Sequence, residues 1–370
     1  MDSFERVLAA SRVRNVLLGP RRAEGPGHVV DHMLAVQAQE PAFSRWSVGQ
    51  RMNRPDEASV IESVDNAEIV RVHILRPTWH YVRGDDLRWV QALTGPRVLR
   101  SSAGWYRSHD VDDAFLGTGR AVVESSLAGG NAKTRNELRD DVAAAGLDVS
   151  GQRMAALMFD LELKAVVCSG PFRNRQHTYA LVDERLPPQA ALDPAEATGR
   201  LVQRYLRGHS PSTLKDLRWW SGLTIADLRR AVEDLADLVT TETVGGVEYV
   251  WMTDVPPAEA VDDAGTFELL QVFDELFVGY SETRRLLDPD GEFGAVLPIG
   301  FTKMMHVVVE GDRLVGRWRA DRRQRTLKLT FDLNRPLSSS GQASLEDAAR
   351  CYGAFVGAEE TGIDFTASTR

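Results

Sequence analysis

The chain of 370 residues contains only two cysteines and five lysines, and no apolar run approaches the roughly 20 residues needed to cross a bilayer. Cys168 and Cys351 stand alone, so we expect neither a disulfide framework nor a Cys-x-x-Cys metal pair. HExxH, Cys/His metal spacing and a phosphate-cradling glycine loop are also missing, which predicts no metal and no nucleotide cofactor. The N-terminal segment lacks a signal peptide's uninterrupted apolar stretch. These absences predict a cytoplasmic protein that does not interact with membranes.

Positive charge is supplied almost entirely by arginine. The net charge of −9 argues against a protein that binds nucleic acid over its whole surface, but basic residues also cluster locally. The densest cluster, opposed only by Asp321, contains Arg317, Arg319, Arg322, Arg323, Arg325 and Lys328. Most basic clusters are simply solvated surface. Arginine suits bidentate phosphate contact, and this cluster is dense enough to predict a phosphate-binding surface.

A glutamine lies where a core residue is expected. Residues 28–40, placed on a helix at about 100° per residue, form an apolar stripe with Gln37 in its middle. A buried amide must find hydrogen-bond partners or line a wet cavity. Gln39 would point about 160° away, unless the helix ends before Pro41 and both amides turn toward one spot. From these residues alone, a core Gln37 beside a solvated Gln39 is the simpler interpretation.

The middle of the chain repeats one order of elements: helix, helix, turn, helix and two strands. It occurs in residues 118–182 and 193–253, and more loosely in the first 90 or so residues. Capping boxes are predicted at 59–62 and 134–137, a helix start at Ser150, and a hairpin turn at Gly245–Gly246. This order is typical of the winged helix, a helix-turn-helix followed by a two-stranded wing.

The C-terminal region has a different character. Residues 301–309, 313–320 and 325–333 are predicted strands, the last two joined at a basic tip over 321–324, and a helix over 344–357 follows. The predicted fold class is therefore α+β: three tandem winged-helix motifs and a small β-rich domain with a basic hairpin. The predicted domains cover residues 1–117, 118–190, 191–260 and 261–370.

A transcriptional regulator is the default expectation for winged helices, but the helices argue against it. The third helix of the third repeat carries Asp227, Glu233, Asp234 and Asp237 against Arg229 and Arg230. Acidic helices repel phosphate, so these repeats are better scaffolds than groove readers. The basic charge predicts DNA held between the first repeat and the C-terminal hairpin.

Five segments together resemble one family. They are LAVQAQEP (34–41), RPTWHYV (76–82), GHSPSTLKDLRWWSGLT (208–224), LLQVFDELFVGY (269–280) and LVGRWR (314–319). This set, spread over almost the whole chain, is similar to the tandem winged-helix DNA glycosylases of the AlkZ type, which cut alkylated bases from DNA and unhook interstrand crosslinks. The family signature, Gln, an apolar residue, then Gln or Asp, falls on Gln37-Ala38-Gln39.

The resemblance implies that Gln37 and Gln39 are catalytic, and that the substrate is double-stranded DNA with an alkylated or crosslinked guanine. Self-resistance to a bifunctional alkylating natural product such as azinomycin is the implied role. His80 matches the family's Thr-x-His stretch, although a strand histidine is more often structural. We assign DNA contact to His80, Trp318 and the arginines of the 317–325 cluster, while Asp274 and Glu275, which diverge as i and i+1, are interpreted as structural.

The implied chemistry is simple. Alkylation at N7 makes guanine cationic and weakens its glycosidic bond, so two amides need only orient a water toward C1′. With so few lysines and none near the glutamines, a monofunctional glycosylase without Schiff-base lyase activity is expected, acting as a monomer without an obligate protein partner. The alternative is a non-catalytic protein that binds damaged DNA or sequesters the drug.

Overall fold

The computed structural model describes residues 3–20, 22–257, 265–288 and 306–366, and it has the predicted mixed α and β composition. The first part of the chain contains α1 (Ser3–Asn15), α2 (Pro26–Met33), β1 (Ala35–Gln37), α3 (Pro41–Gly49), α4 (Glu57–Asp65), β2 (Ile69–His73), β3 (Trp79–Arg83) and α5 (Gly84–Ser108). None of the helices in the described ranges is both long and apolar enough to cross a membrane.

The helix predicted over residues 28–40 is wrong beyond Met33. Leu34 adopts a φ of +63°, which a right-handed helix does not permit, and the chain continues as β1. A buried leucine in this conformation stores backbone strain of about 1–3 kcal/mol, and Leu75, between β2 and β3, is similar with a φ of +65°. Gln37 is therefore buried on a strand and not on a helical stripe.

The strands β1, β3 and β2 form an antiparallel sheet in that order, with β1 at one edge. The start of α4 was also predicted wrongly. Asp56, not Ser59, caps this helix, and its carboxylate accepts the backbone N–H groups of Ala58 and Ser59.

The second part contains α6 (Asp113–Leu127), β4 (Lys133–Thr134), α7 (Arg135–Ala144), α8 (Arg153–Leu163), β5 (Val167–Ser169), β6 (Thr178–Leu181) and α9 (Val182–Arg185). The capping box of Thr134 and Glu137 is confirmed. Ser150 does not cap the next helix, which begins at Arg153 after a turn. The domain boundary predicted at residue 117 falls inside α6, so residues 113–127 belong to one helix.

The third part contains α10 (Pro194–His209), α11 (Leu214–Ser221), α12 (Ile225–Asp234), β7 (Val239–Val244) and β8 (Val247–Met252). Its hairpin turns at Gly245 and Gly246, as predicted, and both have positive φ values of 57° and 77°. Such a two-residue turn requires φ above zero at both positions, which glycine adopts without steric cost.

The C-terminal part contains β9 (Phe267–Leu270), α13 (Glu275–Val278), a 3₁₀ turn (Arg284–Leu287), β10 (His306–Glu310), β11 (Arg313–Arg323), β12 (Thr326–Leu333), α14 (Ser339–Phe355) and β13 (Glu360–Thr366). Within the described ranges the sheet order is β13-β12-β11-β10-β9. The strand predicted over 301–309 is described only from His306, and residues 301–305 lie outside the described ranges. The hairpin tip lies at Gln324 and Arg325, later than the predicted 321–324.

The hydrophobic cores cross the predicted domain boundaries. One cluster joins Leu8 of α1 and Tyr81 of β3 to Trp318 of β11 and Phe355 of α14. A second cluster joins β2 and β3 to α10, α11 and α12. A third contains only residues between 105 and 181. The sheet that carries the glutamines is therefore packed between the third and C-terminal parts, whereas the second part has a core of its own.

Candidate active site

Gln37 and His80 are direct neighbours across two antiparallel strands. Gln37 on β1 is paired with His80 on β3, and the side chains of directly opposed residues lie on the same face of a sheet. Gln37 is 3% exposed and His80 is fully buried. The strand pairing thus brings together two side chains that are 43 positions apart in sequence.

Glu275 completes the surroundings of Gln37. One oxygen of its fully buried carboxylate accepts the backbone N–H of Gln37 at 2.8 Å, and the other accepts Trp220 Nε1 at 3.0 Å and His209 Nε2 at 3.3 Å. Burial alone raises the pKa of this carboxyl, but the hydrogen bond from His209 and the nearby positive charge of Arg76 lower its pKa to about 2. The ionised carboxylate of Glu275 therefore holds β1, the strand that carries Gln37, next to α10, α11 and α13.

Gln39 lies beside Gln37 because the chain turns directly after β1. The backbone N–H of Gln39 donates to the side-chain oxygen of Gln37 at 3.3 Å. Gln39 is half-buried, and its own Oε1 atom is enclosed without a partner among the described residues. The two glutamines therefore share one end of the sheet, and the amide oxygen of Gln39 is available to a bound molecule.

His80 presents an acceptor nitrogen. Its Nδ1 atom lies 3.1 Å from the backbone oxygen of Thr78, and since a carbonyl can only accept, Nδ1 carries the proton of the neutral ring. Burial and the charge of Arg76 lower the pKa of His80 to about 4, so the ring is neutral at pH 7. Its Nε2 atom is left as a buried acceptor with no partner in the described ranges.

Several buried polar atoms without partners meet at this end of the sheet. In addition to Gln39 Oε1 and His80 Nε2, they include Thr78 Oγ1 and Arg76 Nε. Buried polar atoms are nearly always hydrogen-bonded, to protein or to ordered water. The concentration of such atoms around the two glutamines is typical of a site that binds water or a polar ligand.

The β11–β12 hairpin carries the predicted basic cluster. The guanidinium-bearing residues Arg319, Arg322, Arg323 and Arg325 are exposed, and Arg317 is half-buried. Some of this charge is balanced: Arg323 pairs with Asp321 at 3.4 Å, and Arg325 pairs with Glu359. Within the described part of the chain, Arg319 and Arg322 form no ion pair.

Trp318 does not belong to the binding surface. It is 1% exposed, and its Nε1 atom donates to the backbone oxygen of Leu270 at 3.0 Å. Successive strand residues point to opposite faces, so Arg317 and Arg319 face outward while Trp318 faces the core. The prediction of DNA contact for Trp318 is wrong.

The helix that follows Gln39 connects the glutamines to this hairpin. Phe43 of α3 lies 4.0 Å from the His306 ring of β10 and 5.9 Å from the Trp318 ring of β11, measured between ring centroids. Trp46, also on α3, donates to the backbone oxygen of Leu269 at 2.7 Å. These contacts pack α3 against β9, β10 and β11, immediately beside β1.

Comparison with known proteins places this arrangement in a family. Residues 30–355 match the family described as DNA glycosylase AlkZ-like. The chain belongs to this family. The match confirms the expected resemblance and identifies the protein as a DNA glycosylase.

This AlkZ-like glycosylase is 24% identical over 335 residues to an interstrand DNA cross-link repair glycosylase of Streptomyces sahachiroi, an alignment that covers 86% of this chain and 88% of that protein. It also resembles the solved structure of the Streptomyces sahachiroi DNA glycosylase AlkZ, with a TM-score of 0.79, 22% identity, and coverage of 99% of this chain and 100% of that one. At this identity the structural likeness supports the fold alone.

The residues around Gln37 include three that were not predicted as site residues. Glu275 was interpreted as structural, Trp220 was assigned no role in catalysis or binding, and His209 was not singled out. The separation of Asp274 and Glu275 is as expected, since Asp274 turns to a different partner, Arg51, which it binds through both oxygens at 2.6 and 2.9 Å. A signal was nevertheless present, because two acids interrupt an otherwise apolar segment, and a buried acid needs a partner.

No group of three or more His, Cys, Asp or Glu side chains that could hold a metal ion occurs among the described residues. Both cysteines are free thiols. Burial raises the pKa of Cys168 to about 12, so its thiol stays protonated at neutral pH.

Proposed function

We propose that this glycosylase hydrolyses the N-glycosidic bond of N7-alkylated purines in double-stranded DNA, including guanines held in interstrand crosslinks. The observation that carries the proposal is the cluster of unpartnered acceptors beside Gln37, namely Gln39 Oε1 and His80 Nε2. Similarity to the interstrand DNA cross-link repair glycosylase of Streptomyces sahachiroi supports crosslink repair as the biological context.

The reaction needs little general-acid catalysis, because the leaving base does not have to be protonated. N7 alkylation places a positive charge on the base, so the base leaves as a neutral molecule and the sugar develops oxocarbenium character. A water bound between Gln39 Oε1 and His80 Nε2 would donate one hydrogen bond to each of these acceptors. This leaves its lone pair directed at C1′ on the face opposite the departing base. As the C1′–N9 bond breaks and the C1′–O bond forms, one proton of this water passes to His80 Nε2 and from there to solvent, and the other stays on the new hydroxyl group.

Gln37 has a different role in this proposal. Its side-chain oxygen receives the backbone N–H of Gln39, and its own backbone is held by Glu275. Gln37 thus positions Gln39, and its carbonyl dipole adds negative potential near the forming cation. Because neutral bases leave slowly from the same site, selectivity for alkylated bases follows from the chemistry of the leaving group.

The three helical parts, each with a small sheet or hairpin, are proposed to be winged-helix units that form a scaffold around the duplex. The proposed division keeps the boundaries at residues 190 and 260 and moves the first boundary from residue 117 to the start of α6 at Asp113. The exposed arginines of the β11–β12 hairpin are proposed to contact phosphates, as Arg does in bidentate pairs. Self-resistance to a bifunctional alkylating compound is the proposed role in the producing cell.

The deciding experiment is base release from duplexes that contain either N7-methylguanine or an N7-guanine crosslink. We expect the unsubstituted protein to form abasic sites, and Gln37→Ala and Gln39→Ala to slow release by about 100-fold or more with DNA affinity retained. Leu238→Ala, an exposed apolar residue in the third part of the chain, is the control and should cut at the unsubstituted rate.

Lesion binding without base release by the unsubstituted protein would overturn the proposal and leave a damage-binding or drug-sequestering protein. Borohydride treatment during turnover tests the mechanism further. A hydrolytic, monofunctional enzyme leaves no protein covalently attached to DNA, whereas a lysine Schiff base would be trapped.

A further inference from the structure

A cavity opens beside the sheet that carries Gln37, between the first and second parts of the chain. It has a volume of about 450 Å³, within the size range of small-ligand pockets. The lining side chains used below are His73, Trp79, Trp105, Arg135, Phe159 and Tyr179. They come from β2, β3, α5, α7, α8 and β6, so the cavity exists only in the assembled fold.

The cavity walls are mainly aromatic ring faces and edges. The rings of His73 and Trp79 lie 3.9 Å apart between centroids, and Phe159 meets His73 edge-on at 4.8 Å and Trp105 edge-on at 5.7 Å. Trp105 is half-buried. A cavity lined by aromatic side chains favours a flat aromatic ligand, because aromatic rings stabilise one another in stacked and edge-on contacts.

The polar groups of the cavity limit the chemical class of ligand that it can bind. The carboxylate of Glu162 already accepts hydrogen bonds from His73 and from Trp79 Nε1, so it does not favour a cationic ligand in the cavity. Arg135 Nε, in contrast, is a buried donor with no partner among the described residues. The cavity therefore fits a planar ring with a hydrogen-bond acceptor on its edge, as guanine has at O6.

The position of the cavity links it to the glutamines. Trp79 is the residue before His80, and alternate residues of a strand point to opposite faces, so the cavity and the glutamine site lie on opposite faces of β3. The backbone oxygen of Trp79 also accepts the N–H of Ala38, which lies between Gln37 and Gln39. Both sites therefore open at the same end of the sheet.

We propose that this cavity binds a nucleobase displaced from the duplex at the lesion, by stacking on Trp105 and hydrogen bonding to Arg135. The base is either the excised purine or its neighbour in the strand; the two share the same chemistry. The inference rests on the proposed function in one respect, that the lesion is brought to the glutamine-bearing end of the sheet.

The test uses a duplex with a tetrahydrofuran abasic analogue, which cannot be cut, and 2-aminopurine as the adjacent base. Stacking of 2-aminopurine on an indole quenches its fluorescence. We expect the unsubstituted protein to quench the probe more strongly in the abasic duplex than in an undamaged duplex that carries the same probe. Trp105→Ala should lose this additional quenching and bind the abasic duplex about tenfold more weakly. Affinity for undamaged duplex should not change.

Two further arms make the result specific. Arg135→Met removes the donor but no ring, and should weaken binding by a smaller factor, whereas Phe365→Ala, an exposed aromatic on β13, should have no effect. Free 2-aminopurine distinguishes the two sources: if the protein without DNA also quenches the free base, and Trp105→Ala does not, the cavity takes the excised base, whereas quenching only within the abasic duplex identifies the neighbouring base.

Equal loss of affinity by Trp105→Ala for damaged and undamaged duplex, or quenching that survives the substitution, would overturn the inference. A Tm close to that of the unsubstituted protein confirms that the variant is folded. The outcome is independent of base release: an enzyme that cuts without a Trp105-dependent signal refutes only the cavity, and a signal without cutting refutes only the proposed hydrolysis.

Discussion

The glutamine-bearing end of the β1–β3–β2 sheet and the β11–β12 hairpin are built in opposite ways. Around Gln37 the polar groups are buried, with Glu275 and His80 fully enclosed; Glu275 is hydrogen-bonded on both oxygens, whereas Gln39 Oε1 and His80 Nε2 have no partner among the described residues. On the hairpin the charged groups project into solvent, and some pair only with exposed acids, as Arg323 does with Asp321. The activity of the first region depends on the positions of a few atoms, whereas the DNA affinity of the second depends on the number of its charges.

This difference predicts how each region responds to substitution. A buried polar group that loses its partner costs its full desolvation free energy, so changes near Gln37 should affect stability and catalysis together. An exposed charge is screened by salt and contributes little to stability, so changes on the hairpin should affect DNA affinity alone.

Glu275→Gln should have the largest effect. The carboxylate accepts three hydrogen bonds, and an amide with one oxygen cannot replace it, so we expect the free energy of unfolding to fall by about 3–5 kcal/mol. Asp274→Asn is the matched control, because Asp274 is equally buried but binds Arg51. Urea unfolding should show comparable losses for both variants, while base release at low temperature should fall strongly only in Glu275→Gln. Equal loss of activity in the two variants would refute a positioning role for Glu275.

The second prediction concerns acid. His80 has its pKa lowered from 6.5 to about 4, so below pH 6.5 the unfolded chain binds this proton and the folded protein does not. Stability should therefore fall as the pH decreases from 6.5 to 4, by about 3 kcal/mol for this group, in urea unfolding measured across that range. His80→Asn should remove this part of the slope. Base release should be nearly constant above pH 5 and fall near pH 4, where Nε2 becomes protonated; a fall centred near 6.5 would contradict the assignment.

The third prediction concerns the hairpin. Arg322→Ala should weaken binding to duplex DNA and reduce the slope of log affinity against log salt by about one, with the rate of base release at saturating DNA unchanged. Arg229→Ala on the acidic helix α12 is the control, since it is also an exposed arginine and should leave the slope unchanged. A decrease in the saturated rate for Arg322→Ala would break the contrast between the two regions.

The smallest effect is expected for Trp318→Phe. This change keeps an aromatic ring in the core but removes the hydrogen bond to Leu270, so it should cost about 1 kcal/mol of stability in urea unfolding. DNA affinity should stay the same, because the side chain is enclosed. Weaker DNA binding at full stability would show that the indole reaches the duplex after all.

Several local patterns in the sequence predicted local structure correctly, although the helix starts predicted at Ser59 and Ser150 are wrong. The capping box at Thr134, the glycine turn at Gly245 and the basic hairpin all depend on residues close in sequence, and each is present in the fold. The alternation of the 317–319 segment also indicates that Trp318 faces inward if its two arginine neighbours face solvent, and the structure places Trp318 in the core.

The site itself depends on contacts that no local pattern encodes. The helix predicted through Gln37 ends early because Leu34 takes a positive φ that its side chain does not favour, and only the surrounding packing holds it there. Glu275 binds Gln37 across 238 positions of sequence, so its role becomes visible only when the fold brings the two together.

The core shared by Leu8 and Phe355 has a consequence for how this protein is made. On the ribosome, the N-terminal elements of this core leave the tunnel long before α14 exists, and the apolar surface that α14 covers, including Trp46 of α3, stays open until synthesis is almost complete. The second part of the chain, whose core is closed within residues 105–181, is free to fold while synthesis continues. Loss of the last 30 or so residues, which include most of α14, would then expose this face of α3, so a nonsense mutation late in the gene should prevent folding and leave no active enzyme.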